Sequence, residues 1–162
     1  MTLVADFRIL LLALWLGAAV FFSAAVAPGA FAVLPSRELA GGVVNRTLAV
    51  INYGGFIIGL ILFASSFFSS RNLNRLKLRA EQVLLLLFTV ACAFGQFVIA
   101  AWLRKIREHI GRPIDEVPVE DPLRIAFNDL HGYSVAVLSL AMIAAFIAYF
   151  LLTNRSRNNS IR

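Results

Sequence analysis

Arg124, Asn128, His131 and Ser134 follow one another at spacings of four, three and three residues in the stretch "RIAFNDLHGYS", at the start of the last apolar run. A guanidinium at Arg124 would attract an anionic group, and an imidazole at His131 could take up or release a proton near neutral pH. At about 3.6 residues per turn the four side chains fall on roughly one side of a helix. Asn52 and Gln96, inside two other apolar runs, add amides that both donate and accept hydrogen bonds. Polar groups at membrane depth are costly and mark a binding site by default. A plainer reading stands beside this one. Asn, Gln and Ser also serve as interhelical glue worth ~0.6 to 2 kcal/mol, and a histidine near an interface also serves as a solvated cap. Asp129 points away from His131 and reads as a solvated charge.

Catalytic patterns do not occur. The chain has no H-E-x-x-H, no G-x-S-x-G, no paired cysteines and no phosphate-binding glycine loop. His131 and Ser134 can meet three residues apart on a helix, but nothing beside them resembles an oxyanion hole. Copper favours Cys and Met, and the spans offer only Cys92 and Met142, which read as core residues. A bis-histidine haem would need His109, which the sequence places in a loop. The chain therefore reads as not an enzyme, with no catalytic residue, no metal and no cofactor.

Those side chains need elements to hold them, and composition says which. The 162 residues are 60% hydrophobic with a mean hydropathy of +0.81, well above the apolar share of about 45 to 50% of a soluble domain. Four uncharged runs stand out: Ile9 to Ser36, Thr47 to Ser70, Gln82 to Leu103 and, with His131 neutral, His131 to Asn154. Each can cross the ~30 Å of hydrocarbon that about 20 helical residues span. The expected fold is all-α: an integral membrane four-helix bundle with a short interfacial helix between spans 1 and 2. One transmembrane domain takes up residues 1–162, with spans at about 9–27, 48–68, 82–103 and 130–152. "AVA" before Pro28 resembles a signal-peptidase site, but proline after the cut opposes cleavage, so the first helix is expected to be retained. Ser36 is expected to cap the interfacial helix. Asp121 followed by Pro122 should start the last one, so the polar stretch lies at the outer end of a helix that protrudes before it spans.

Small residues mark the contact faces expected in lipid: Gly55 and Gly59 with Asn52, Ala13 with Gly17 and Ala24, Ala91 with Gly95, and Ser134 with Ala141, Ala145 and Ala148. Trp15 reads as a packing residue, and Trp102 and Tyr149 as interfacial anchors. Lys and Arg number eight on the side of the termini and seven on the other, with Arg71, Arg75, Lys77 and Arg79 crowded into one short connection. That crowding favours both termini in the cytoplasm. The formal charge of +6 sits at span ends rather than on a separable face. The lipid bilayer is therefore the expected partner, with no nucleic acid, and the small bundle leaves a homo-oligomer or a larger membrane complex open as partners.

The run from Leu11 to Tyr53 resembles the first half of a bacterial family of uncharacterised four-helix membrane proteins related to the eukaryotic transmembrane protein 205. Trp15 and Gly17, then Pro28, Phe31, Leu34 and Pro35 carry that likeness. Phe127, His131, Gly132 and Ser134 match its F-x-x-x-H-G-x-S signature, although Leu138 stands where relatives often have Asn. The first-helix pattern is more distantly similar to copper-resistance D-type membrane proteins. The resemblance implies a bacterial inner-membrane protein of poorly defined activity and directs attention to His131 and Ser134. With the polar residues it leads to one expected function: binding, sensing or helping to move a small solute or ion through an outward-facing polar pocket. The alternative is a structural or accessory subunit of a larger membrane complex.

Overall fold

The computed structural model describes residues 2–68 and 75–160, with side chains for 3–68 and 75–154. Among these residues no strand occurs, and four long helical rods dominate. The first runs Thr2–Phe21, widens through a π-helical turn at Phe22–Val26 and ends as Ala27–Val33. The second is Arg37–Phe68. The third runs Arg75–Phe94, widens at Gly95–Ile99 and continues as Ala100–Ile110. A short 3-10 turn at Ile114–Glu116 leads to the fourth, Pro122–Ser160.

Each rod contains a stretch long and apolar enough to cross a bilayer, and only 22% to 39% of the residues in those stretches are buried inside the bundle. Most of the apolar surface therefore faces outward. Phe21, Ile57, Phe94 and Phe146 are 47% to 65% exposed, which would be an aggregation hazard in water and is the natural exterior in lipid. The chain is a multi-pass membrane protein.

The third helix packs against the second and fourth, and the first closes against the fourth and second. Glycine sets these distances. A Cβ on Gly55 would lie 2.5 Å from Cys92 Sγ and 2.6 Å from Trp15 Nε1, and one on Gly59 would lie 2.2 Å from Thr89 Oγ1. Trp15 is a packing residue, as expected: it meets Phe88 edge-on at 4.5 Å, and its Nε1 donates to the Ile51 carbonyl at 2.9 Å. Ala141, Ala145 and Ala148 form the buried small face of the fourth helix. The small stripe of the first helix behaves otherwise. Gly17 and Ala24 are exposed, with nothing within 4 Å of a Cβ at Gly17, because the buried stripe of that helix is Leu12, Trp15, Ala19 and Phe22 on the opposite side.

Both sequence-read caps are present. Ser36 Oγ accepts from the Leu39 amide at 3.2 Å, and Asp121 Oδ1 accepts from the Leu123 amide at 2.8 Å with Pro122 in the first helical position. The helix that Ser36 starts is not a separate interfacial piece. It continues without a break to Phe68, because no proline interrupts it and burial of Ala40, Gly41 and Val44 offsets the ~1 kcal/mol that each glycine of the Gly41, Gly42 pair costs a helix. The third helix likewise runs on into the expected loop as far as Ile110, where Gly111 at φ 64° turns the chain and donates to the Arg107 carbonyl at 3.1 Å. His109 therefore sits in a helical last turn, exposed, with Nδ1 2.9 Å from the Lys105 carbonyl.

The first π-helical turn has an identifiable cause. Pro28 has no N–H, and in an α-helix its ring would strike the carbonyl four residues back. Just before it, the Ala27 amide reaches five residues back to Phe22, so the wider turn absorbs the proline without ending the helix. In the basic connection between the second and third helices, Arg71 lies outside the described residues. Arg75, Lys77 and Arg79 are exposed on the first turns of the third helix. Arg162 and the side chains of Arg155 and Arg157 also lie outside what is described.

Candidate functional site

A cavity of about 300 Å³ lies at the end of the bundle that holds the start of the second helix and the end of the third. Its polar lining is Asn45 and Asn52 from the second helix, Gln96, Arg104 and Arg107 from the third, and Ser134 from the fourth. Asn52 is 5% exposed and Ser134 8%, so both sit at its buried side. The close approach of the second and third helices depends on Gly95, where a Cβ would come within 3.2 Å of Asn52 Nδ2. Gln96 follows directly, inside the π-helical turn, a feature often found at functional sites. Its Oε1 is buried and has no hydrogen-bond partner among the described residues.

Of the six residues singled out from the sequence, Asn52, Gln96 and Ser134 line this cavity and Arg124, Asn128 and His131 do not. Helical geometry gives the reason. The buried stripe of the fourth helix is Ser134, Leu138, Ala141, Ala145, Ala148 and Leu152, and seven residues before Ser134 it reaches Phe127. At about 100° per residue, His131 is displaced from Ser134 by about 60° and Asn128 by about 120°. Both are exposed. Arg124 donates instead to the Val117 carbonyl, tying the start of its helix to the preceding connection. Phe127, which the site reading passed over, lies under the Arg107 guanidinium at 5.1 Å.

Asn45, Arg104 and Arg107 were missed as site residues, although their spacing carries a signal. Gln96, Ala100, Leu103 and Arg107 repeat at i, i+4, i+7 and i+11, one face of one helix, and Asn45 stands two turns before Asn52. Counting the two arginines as loop charges hid that periodicity.

The opposite end of the bundle holds a second polar cluster of another kind. Arg8 and Glu81, each 3% exposed, form an ion pair at 2.6 Å, and Arg8 also donates to the Leu62 carbonyl at 3.2 Å. Gln82 donates to Ser66 at 3.3 Å beside them. Neither Arg8 nor Glu81 can be paired from sequence, because they are 73 residues apart. No group of three His, Cys, Asp or Glu side chains able to hold a metal occurs among the described residues. Cys92 is packed in the core.

The class is thus defined by four apolar helices with a buried ionic contact at one end and a polar cavity at the other: a multi-pass helical membrane protein. Residues 10–111 match a domain of unknown function, DUF4149, and the chain belongs to that family. The match covers the first three helices and ends before the fourth. No curated protein and no solved structure matches the chain.

Proposed function

We propose that this chain is a non-enzymatic protein of a bacterial inner membrane, both termini cytoplasmic, that binds, senses or helps move a small solute or ion through its outer-end cavity. One observation carries the reading: a cavity between the apolar helices is lined by Asn52, Gln96 and Ser134, and the buried Gln96 Oε1 is left without a partner among the described residues. A buried acceptor without a partner costs about 1 to 3 kcal/mol, and a ligand that donates to it removes that cost. The clustered basic residues after the second helix support the orientation. Kinship with the transmembrane protein 205 group, or more distantly with copper-resistance D-type proteins, rests partly on Phe127, His131, Gly132 and Ser134, which lie beyond the family match.

The test is complementation of a deletion strain in a panel of solute and metal stresses. The triple variant Asn52→Leu, Gln96→Leu, Ser134→Ala, checked for normal membrane abundance, should fail wherever the wild type rescues. Full rescue by the triple variant sinks the proposal.

A second reading, the accessory subunit, has its own support in the uncovered Gly17 and Ala24 of the first helix, a small surface that another helix could approach closely. Native gels of gently solubilised membranes separate the two. A discrete large species favours the subunit, and a monomer or small oligomer favours the cavity.

A further inference from the structure

The mouth of the cavity holds two guanidinium groups, and the bundle is built around one of them. Arg107 is only partly exposed. On the second helix Gly41 leaves it room, since a Cβ there would stand 3.1 Å from Arg107 Nη2. On the fourth helix the Phe127 ring lies 5.1 Å from its guanidinium carbon, a cation–π contact that fixes the plane of the group without using its N–H donors. Three helices thus converge on one cation. Among the described residues neither Arg104 nor Arg107 forms an ion pair, the salt bridges being Arg8 with Glu81 and Arg37 with Asp115. Glu38, whose charge reaches Arg107, lines the neighbouring cleft, which Arg107 also borders, and not this cavity.

Deeper in, the chemistry changes from charge to hydrogen bonding. The Gln96 amide has an unpartnered oxygen, and turned either way it still offers one donor and one acceptor. Asn52 and Ser134 stand opposite on the other two helices. The combination is a fork of cationic donors outside and neutral groups that suit hydroxyls inside. The volume of about 300 Å³ is at the small end of ligand sites and suits a headgroup-sized molecule.

Resting on the solute-binding reading of this cavity, we propose that its ligand is a hydroxylated phosphate ester, with the phosphate at Arg104 and Arg107 and the hydroxyls at Gln96, Asn52 and Ser134. Guanidinium pairs bind phosphate oxygens through parallel charge-assisted hydrogen bonds. The same chemistry is presented by a phosphoglycerol lipid headgroup and by a soluble glycerol phosphate.

Calorimetric titration of the detergent-purified protein tests this with four probes: glycerol phosphate, short-chain phosphatidylglycerol, short-chain phosphatidylcholine and glycerol. The expected result is binding of at least one of the first two, with phosphatidylcholine at least about tenfold weaker. Arg107→Gln should weaken the anion at least about tenfold, and Arg112→Gln, on the neighbouring cleft, should leave it unchanged. Should Arg107→Gln fold poorly, Arg104→Gln is expected to weaken the anion in the same direction. Glycerol phosphate binding marks a soluble ligand, and binding of phosphatidylglycerol alone marks a lipid headgroup. Absence of binding by both anions overturns the inference, as does equal binding of phosphatidylcholine or an Arg107→Gln protein that binds like wild type. Failure here is distinguishable from failure of the cavity itself. Glycerol binding that Gln96→Leu abolishes, or loss of rescue by the triple variant, would leave a solute site standing without its phosphate. Full rescue by the triple variant removes both.

Discussion

The two ends of the bundle differ in how they handle charge. At the Arg8 end the charges face each other at 2.6 Å and a backbone carbonyl takes up another donor, while Arg8 Nε has no partner among the described residues. At the Gln96 end, among the described residues, an amide oxygen has no partner, and two guanidinium groups, Arg104 exposed and Arg107 partly so, have no carboxylate within ion-pairing distance. A charge carried into a low-dielectric interior must be paired to be tolerated, and the first cluster meets that demand within the chain. The second cluster meets it only in part. Polarity at the closed end holds helices together, and polarity at the open end suits a group from outside the chain.

Substitutions can break or sharpen that contrast. The largest effect is expected from Arg8→Ala, which takes the 2.6 Å guanidinium partner from the buried Glu81 and should cost about 3 to 5 kcal/mol, read by equilibrium unfolding in mixed micelles. Replacing both Arg8 and Glu81 by Leu should restore most of the loss. A double variant as unstable as the single one would mean that the contact is not the closed pair described here.

Gly55→Val comes next, because its side chain must enter space held by Trp15 and Cys92. A loss of about 1 to 3 kcal/mol is expected from overpacking. In a Trp102→Phe background the remaining Trp15 emission should shift to the red as the indole loses its buried bond to Ile51. An unshifted spectrum would place the middle of the bundle outside both end regimes.

Ser36→Ala removes the cap at the open end and should cost about 1 kcal/mol, with faster amide exchange confined to the first turn after residue 36. Spread of that exchange as far as Asn52 would show that the open end is held together less firmly than its packing implies.

Gln96→Leu should have the smallest effect on stability, within about 0.5 kcal/mol of wild type or slightly above it, since no hydrogen bond among the described residues is lost. Rescue of the deletion strain should nevertheless fall. A Gln96→Leu protein as damaged as Arg8→Ala would erase the difference between the two ends.

Much of the fold was legible in the sequence because it depends on local properties. Run length and hydropathy located the four helices, and Ser36 and Asp121 with Pro122 marked two helix starts. Helix continuation was less legible: Gly41 and Gly42 look like a break until the burial around them is known, and the chain from Arg104 to Ile110 looks like a loop because it is charged. Half of the expected site lines the cavity. Asn52, Gln96 and Ser134 were found by depth, while His131 and Asn128 were grouped with Ser134 on a helix face too wide to predict contact. Arg8 with Glu81, and Arg107 with Gly41 and Phe127, join residues on different helices, and no single-chain periodicity encodes such pairs.

The widened turn at Gly95–Ile99 changes how gaps in this family should be read. The wider turn holds one residue more than an α-turn, so the helix beyond it keeps the facing it would have without that residue. A relative lacking one residue there would tighten the turn that carries Gln96 and still present Arg104 and Arg107 on the same side. Between positions 95 and 99, an alignment gap of one residue would therefore mark the loss of the widened turn at Gln96 rather than a rotation of the outer helix.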